Sequence, residues 1–278
     1  MAFNRAMSSG VAGLKAHQTA LDVIGNNVAN VSTYGFKASR TLFSDVLYQT
    51  LTAATKPGTN TGGVDPSQVG YGSTASSVSV DTGRAGMSTT GFGGDCYING
   101  EGYFVIRDGA SGYKYTRVGA LSFDSSNQLV DGHGNLVLGK EGATFSSTDT
   151  PEIINYPSGT SYSSIAIAAD GTVTGKNAST GVIDTIGGIA LAHFPNPAGL
   201  EQEGNNYYKA TDNSGTVANS APGAGATGQL VAGALESSNV DLANEFSNMI
   251  TTERGYQANS KIITVSDTML ETLVNMVR

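Results

Sequence analysis

The side chains of this 278-residue chain that could do chemistry are few and scattered. Its histidines, His17, His133 and His193, stand far apart, without the short spacings that present two imidazoles to one metal ion, so each reads as a surface or packing residue. The glycine clusters at 91–94 (GFGG) and 100–102 (GEG) superficially suggest phosphate loops. Neither lies between a strand and a helix start, and the second runs straight into Tyr103-Phe104-Val105-Ile106, so both read as turn glycines. The DSSN at 124–127 and the Asp131-Gly132 pair resemble fragments of calcium loops but lack the terminal bidentate acid. They too read as turns. Cys96, the single cysteine, has no neighbouring Lys, Arg or His to lower its pKa; it reads as an inert packed thiol and excludes an intramolecular disulfide or multi-cysteine metal site. No nucleophile, base and orienting group can be nominated together, so no catalytic residue, cofactor or metal is expected and the chain does not read as an enzyme.

Composition narrows the partners. A net charge of −8, with no Lys/Arg cluster to track phosphates, argues against nucleic acid. Charged residues are only 14% of the chain, against roughly 25% in an average soluble domain. A weakly charged exterior rich in Gly, Ser, Thr and Asn suits a protein whose surface faces copies of itself, because burying unpaired charge is costly. The first fifty residues carry a balance of +2 and the last fifty −3, which mildly favours pairing of the two ends. The N-terminus has no continuous apolar core followed by a small-residue cleavage site, so no cleavable secretory signal is expected. No run of eighteen apolar residues exists to span a membrane.

The periodic segments lie at the two ends. Met7, Leu14, Leu21 and Val28 recur every seven residues, with Phe3, Ile24 and Val31 on a companion seam that Gly10 and His17 interrupt. At the far end Leu242, Met249, Tyr256, Ile263, Leu270 and Val277 form an unbroken seven-residue series, with Phe246 one turn beyond Leu242 and Ile262, Met269 and Met276 widening the stripe. These stripes are the candidate assembly interface. They could be hidden on each other, on the middle of the chain, or on other copies. The first helix is expected from about Asn4 to Asn30, ending where Gly35 can take a left-handed conformation. Gly10, Gly13 and Gly25 make it a poor helix by itself, each costing about 1 kcal/mol relative to alanine. The last helix is expected to be capped by Asn239 or Asp241 and to run about 55 Å, at about 1.5 Å per residue. That is too long for a small β-domain to cover.

Between the ends, a second periodic segment over 39–51, with Leu42, Val46 and Leu47 near one face, gives way to a Gly/Pro/Thr-rich loop. From about 71 to 228 short strands alternate with turn residues, among them SSVSV, CYI, YFVI, LSF, QLV, NLVL, SIAIA, TVTG and IALAHF. Asp170-Gly171 is a hairpin signal, and VDGHGNLVL reads as another tight turn. Residues 212–227 read as flexible. The expected class is therefore α+β: long terminal helices around a central antiparallel β-domain.

LDVIGNNVANVSTYGFK at 21–37 closely resembles the N-terminal signature of the bacterial flagellar rod and hook proteins. GALESSNVDLANEFSNMITTERGYQANSKIITVSDTMLETLVNMVR at 233–278 is similar to the matching C-terminal signature, and INGEGYFVIRD with YTRVGALSFDSSNQLVDGHGNLVLG resembles that family's β-domain. The resemblance implies an axial subunit exported through the flagellar type III apparatus. It implies that residues 1–31 and 240–278 pair as a coiled coil lining the inner tube, that 32–70 and 229–239 link, and that 71–228 form the β-rich outer domain. GALESSNVDL and the ending LVNMVR are similar to hook proteins, implying a subunit that self-assembles into the hook, a tubular flexible joint transmitting torque to the filament. Its expected partners are other copies of itself, rod, hook-cap and hook–filament junction proteins, and the export apparatus; its expected location is the hook and basal body, outside the cell after export. The chain's short length is closer to the distal rod, the alternative within the family. A secreted β-rich binding or adhesion protein is the alternative from another class, although it leaves the amphipathic ends without a purpose.

Overall fold

The computed structural model describes residues 2–58, 62–109, 112–147, 149–156 and 162–276. Two compact units divide the chain: one gathers 1–31, 38–81 and 240–278, the other 32–37 and 82–239.

The first unit is built on two helices, α1 (Ala2–Ala29) and α2 (Leu242–Met276). Asp241 caps α2, its Oδ1 accepting from the backbone N–H groups of Ala243 at 2.9 Å and Asn244 at 3.3 Å. Both helices form where the apolar periodicity places them. Against α1 lies an antiparallel pair, β1 (Ser39–Asp45) and β4 (Ser73–Val80), in register from Ser39↔Val80 to Asp45↔Ser73. A second pair, β2 (Tyr48–Thr52) and β3 (Ser67–Gly70), extends as a two-stranded ribbon. The periodic 39–51 segment is thus two strands: β1 ends at Asp45 and β2 begins at Tyr48, so Val46 and Leu47 lie in the connection between them.

Every strand pairing among the described residues of the second unit is antiparallel. A six-stranded sheet runs in the order Glu201–Gly204, Tyr207–Lys209, Gly112–Thr116, Tyr103–Asp108, Leu191–His193, Ala218–Ser220. A five-stranded sheet orders Glu152–Ile153, Leu138–Glu141, Ile183–Ile189, Thr172–Asn177, Tyr162–Ile167. The strand 103–108 is buried on both faces, so its two-residue period splits it between two cores: Phe104 and Ile106 join Cys96, Ile98, Leu129 and Ile189, while Tyr103 and Val105 join Tyr115, Phe194 and Tyr208. Edge-to-face ring contacts fill the second core, Tyr115 with Phe194 at 4.8 Å and Tyr103 with Tyr208 at 5.5 Å.

The expected turns form. Asp170 Oδ1 accepts the Thr172 N–H at 3.0 Å and Gly171 sits at φ +83° in the 168–171 turn. Asp131 Oδ1 accepts from the N–H groups of His133 and Asn135, both at 2.9 Å, and Asp124 Oδ1 does the same for Ser126 and Gln128. Residues 212–227 are more ordered than their composition suggests. They hold a 3-10 turn at Asp212–Ser214, the edge strand Ala218–Ser220, and a buried Thr227 that donates or accepts around Ser220, Ala221 and Ala224. The stretch after 228 adds two further strand pairs, Gln229–Ala232 with Cys96–Asn99 and Ala234–Glu236 with Met87–Thr89.

Candidate assembly surface

Within the first unit the helices pair antiparallel. A Cβ built on Gly10 would lie 3.3 Å from Ile263 Cγ1, one on Gly13 would lie 2.7 Å from Asn259 Nδ2, and one on Gly255 would lie 2.7 Å from His17 Cε1. Further along, the Asn27 Nδ2 group reaches Glu245 Oε1 at 3.3 Å. Rising numbers on α1 meet falling numbers on α2, and the α1 contacts step by three and four. Gly10 and His17, which interrupt the apolar seam in the sequence, are where the helices approach most closely. Small residues let the backbones close, and the buried face of α1 is Gly10, Gly13, Ala16, Ala20, Ile24 and Asn27. Charge contributes little here: among the described residues no ion pair joins α1 to α2, and the polar link is Asn27. That side chain also grips the backbone of Ser39, donating to its carbonyl at 2.7 Å and accepting its N–H at 2.9 Å.

The heptad residues read from the sequence divide between cover and exposure. Ile24 is buried in the pair; Met7, Leu14, Leu21, Val28 and Val31 on the first segment, and Met249, Ile263 and Leu270 on α2, are half-buried, Ile263 against Gly10. Leu242, Phe246 and Tyr256 are exposed. Val277 lies outside the described residues, as does the side chain of Phe3. Sequence periodicity passed over Asn27, Asn259, Gly255 and the buried Ser266, because small and amide side chains carry no apolar signal.

α2 presents a second apolar stripe to solvent. Leu242, Phe246 and Ile250 follow each other by four, and Ile262, Val265, Met269, Leu273 and Met276 by three or four. Val274 is 65% exposed and Ile250 59%. Over 35 residues the helix extends about 52 Å, at about 1.5 Å per residue. Between α1 and the strands, an open groove of about 620 Å³ is lined by Met7, Val11, Ala12, Lys15, Val46 and Thr74 among others. The β2–β3 ribbon adds Tyr48, Leu51 and Val69, with Leu47, 81% exposed, just before it. A two-stranded ribbon is marginal by itself. So much apolar surface on thin, elongated elements is what association covers. Among the described residues no three His, Cys, Asp or Glu side chains gather as a metal site, and no helix is long and apolar enough to cross a membrane.

Comparison with known proteins meets this arrangement segment by segment. The family model for the flagella basal body rod protein matches residues 7–37, that for the flagellar hook protein FlgE/F/G D1 domain matches 97–175, and that for the flagellar basal body rod FlgEFG protein C-terminal region matches 231–276. The chain is 42% identical over 275 residues to the flagellar basal-body rod protein FlgG of Bacillus subtilis, covering 99% of each chain. It is 36% identical over 275 residues to FlgG of Borreliella burgdorferi, again 99% of each. The flagellar hook protein FlgE of Treponema pallidum is 26% identical over an alignment of 463 positions that covers 99% of this chain and 100% of that one. Helical ends, β-rich centre and end-to-end similarity agree: the chain belongs to the flagellar rod and hook family, the structural subunits of the flagellar axis.

Proposed function

We propose that this chain is a subunit of the flagellar rod, in its distal part, rather than of the hook. The observation that carries this reading is length together with identity. The match to the Bacillus subtilis rod protein runs end to end at 42%, whereas the alignment to the Treponema pallidum hook protein needs 463 positions against this chain's 278, so that hook protein carries a long additional stretch. The hook-like endings GALESSNVDL and LVNMVR lie in the segment matched by a model shared across rod and hook members, and therefore do not separate the two.

In this reading α1 and α2 line an inner tube and the β-rich unit forms the outer layer. The exposed stripe of α2 and the β2–β3 ribbon meet neighbouring copies, and the weakly charged surface limits the desolvation cost of that packing. Export by the flagellar type III apparatus, and contacts with rod subunits below and hook subunits above, belong to the same proposal. The test is electron microscopy of basal bodies from a strain lacking the chain. An axis that stops short within the rod is expected; a complete rod lacking only the hook would return the chain to the hook. Within a complemented strain, Ile262→Asp on the exposed stripe should leave a folded subunit but abolish incorporation and motility, and normal swimming would count against α2 as an interface.

A further inference from the structure

In the β-rich unit, Glu236 is buried between two cations, with side-chain exposures of 0% for Glu236, 1% for Lys37 and 4% for Arg117. Its two oxygens are unequally served. Oε1 accepts from Lys37 Nζ at 2.6 Å and from the Ala85 N–H at 3.0 Å, whereas Oε2 has no hydrogen-bond partner and stands 3.6 Å from Arg117 Nη1. Arg117 Nη1 donates instead to the Gly100 carbonyl at 2.9 Å, its guanidinium carbon lies 5.1 Å from the Tyr103 ring centroid, and its Nε has no partner. A buried guanidinium with an unmet donor bears a desolvation cost that an acceptor would relieve.

Arg117 lines a cleft of about 320 Å³, together with Arg84, Gly100, Glu101, Tyr103 and His193. At its rim Arg84 is exposed and hydrogen-bonded to Asn99 Oδ1 at 2.8 Å, and His193 Nε2 lies 3.0 Å from Glu101 Oε2. The Glu101 side chain is itself 74% exposed. We propose that this cleft binds a carboxylate, held by the guanidinium of Arg117 and by Arg84. A guanidinium's planar fork matches a carboxylate's two oxygens. The acidic groups already present, Glu236 behind Arg117 and Glu101 at the rim, leave room for one negative charge and disfavour a dianion.

The test is calorimetric titration of the full-length monomer with sodium acetate, against sodium chloride at equal ionic strength. A saturable acetate signal absent with chloride is expected, weakened roughly tenfold in Arg84→Gln by loss of one charge-assisted hydrogen bond. Arg117→Lys, which keeps the charge but not the fork, should abolish it; if that variant does not fold, the exposed Arg84 variant carries the test. No saturable signal, or equal affinity in Arg84→Gln, would overturn the proposal. Polymerisation assays then identify the source. If acetate raises the critical concentration for assembly, the natural carboxylate is an acidic side chain of a second copy; if assembly is indifferent, it is a small carboxylate. Because binding is measured on the monomer, a chain that fails to polymerise would damage the rod reading and leave this result intact.

Discussion

Lys37 and Glu236 lie 199 positions apart and meet at 2.6 Å inside the β-rich unit, where Gly35 and Glu236 also join through a backbone hydrogen bond of 2.8 Å. The contact ties the chain leaving α1 to the strand that precedes α2. Gly35 can make it because it sits at φ +70° with Val118 Cγ2 only 2.7 Å from where a Cβ would be. Lys37→Met takes from Glu236 its 2.6 Å donor and leaves Arg117, 3.6 Å away, as the remaining cation, so it should cost about 3 kcal/mol in urea unfolding. Glu236→Leu, which leaves both Lys37 and Arg117 buried without a carboxylate, should cost more, and an equal or smaller loss than in Lys37→Met would show that the pairing is not the cause. Neither residue stands out by type. Lys37 was legible as part of the YGFK signature, yet nothing in its local sequence announces a fully buried ammonium. Cys96 is the opposite case: a strand-like, uncharged neighbourhood read as packing, and burial together with Asp95 pushes its thiol up to about 12.

At the scale of elements, periodicity located both helices, and the companion seam through Gly10, His17 and Ile24 is the one on which they close. The sequence favours the seam of larger residues, Met7, Leu14, Leu21 and Val28, whereas the helices meet over glycine and alanine. The reason is steric. A backbone approach close enough to place His17 against Gly255 leaves no room for a leucine there, so Leu14 and Leu21 of α1 are only half-buried while Ile263 of α2 packs on Gly10. Gly13→Val should therefore lower the stability of the helical unit by about 1–3 kcal/mol, since its side chain would enter the space of Asn259. Thermal unfolding with amide exchange along 242–276 measures this; unchanged protection there would mean that the pair does not close at Gly13. Gly13→Ala is a milder change, because its helix-propensity gain of about 1 kcal/mol offsets the shift of a flexible amide. Gly25 has no atom within 4 Å of its would-be Cβ, and nothing in the structure explains it.

At the scale of the whole molecule the two units differ in how they are covered. The β-rich unit has two filled cores and central strands buried on both faces, whereas α2 touches α1 along one face and offers another to solvent. In the free monomer, amides of 103–108 and 186–191 should exchange only on global unfolding, and those of 262–276 faster by at least an order of magnitude, as local opening of a half-covered helix requires. Equal protection in the two regions would mean that α2 is stable without neighbours. Composition, the heptad series at both ends and the turn residues between them were sufficient, from sequence alone, to establish the α+β class, the two long helices, the inert cysteine and the family, because each rests on local pattern or matching signature. Strand order, the close approach at Gly10, Gly13 and Gly255, the burial of Lys37 with Glu236 and Arg117, and the order within 212–227 were decided only by tertiary structure. Those depend on which distant residues meet, and single-chain periodicity carries no information about partners two hundred positions away.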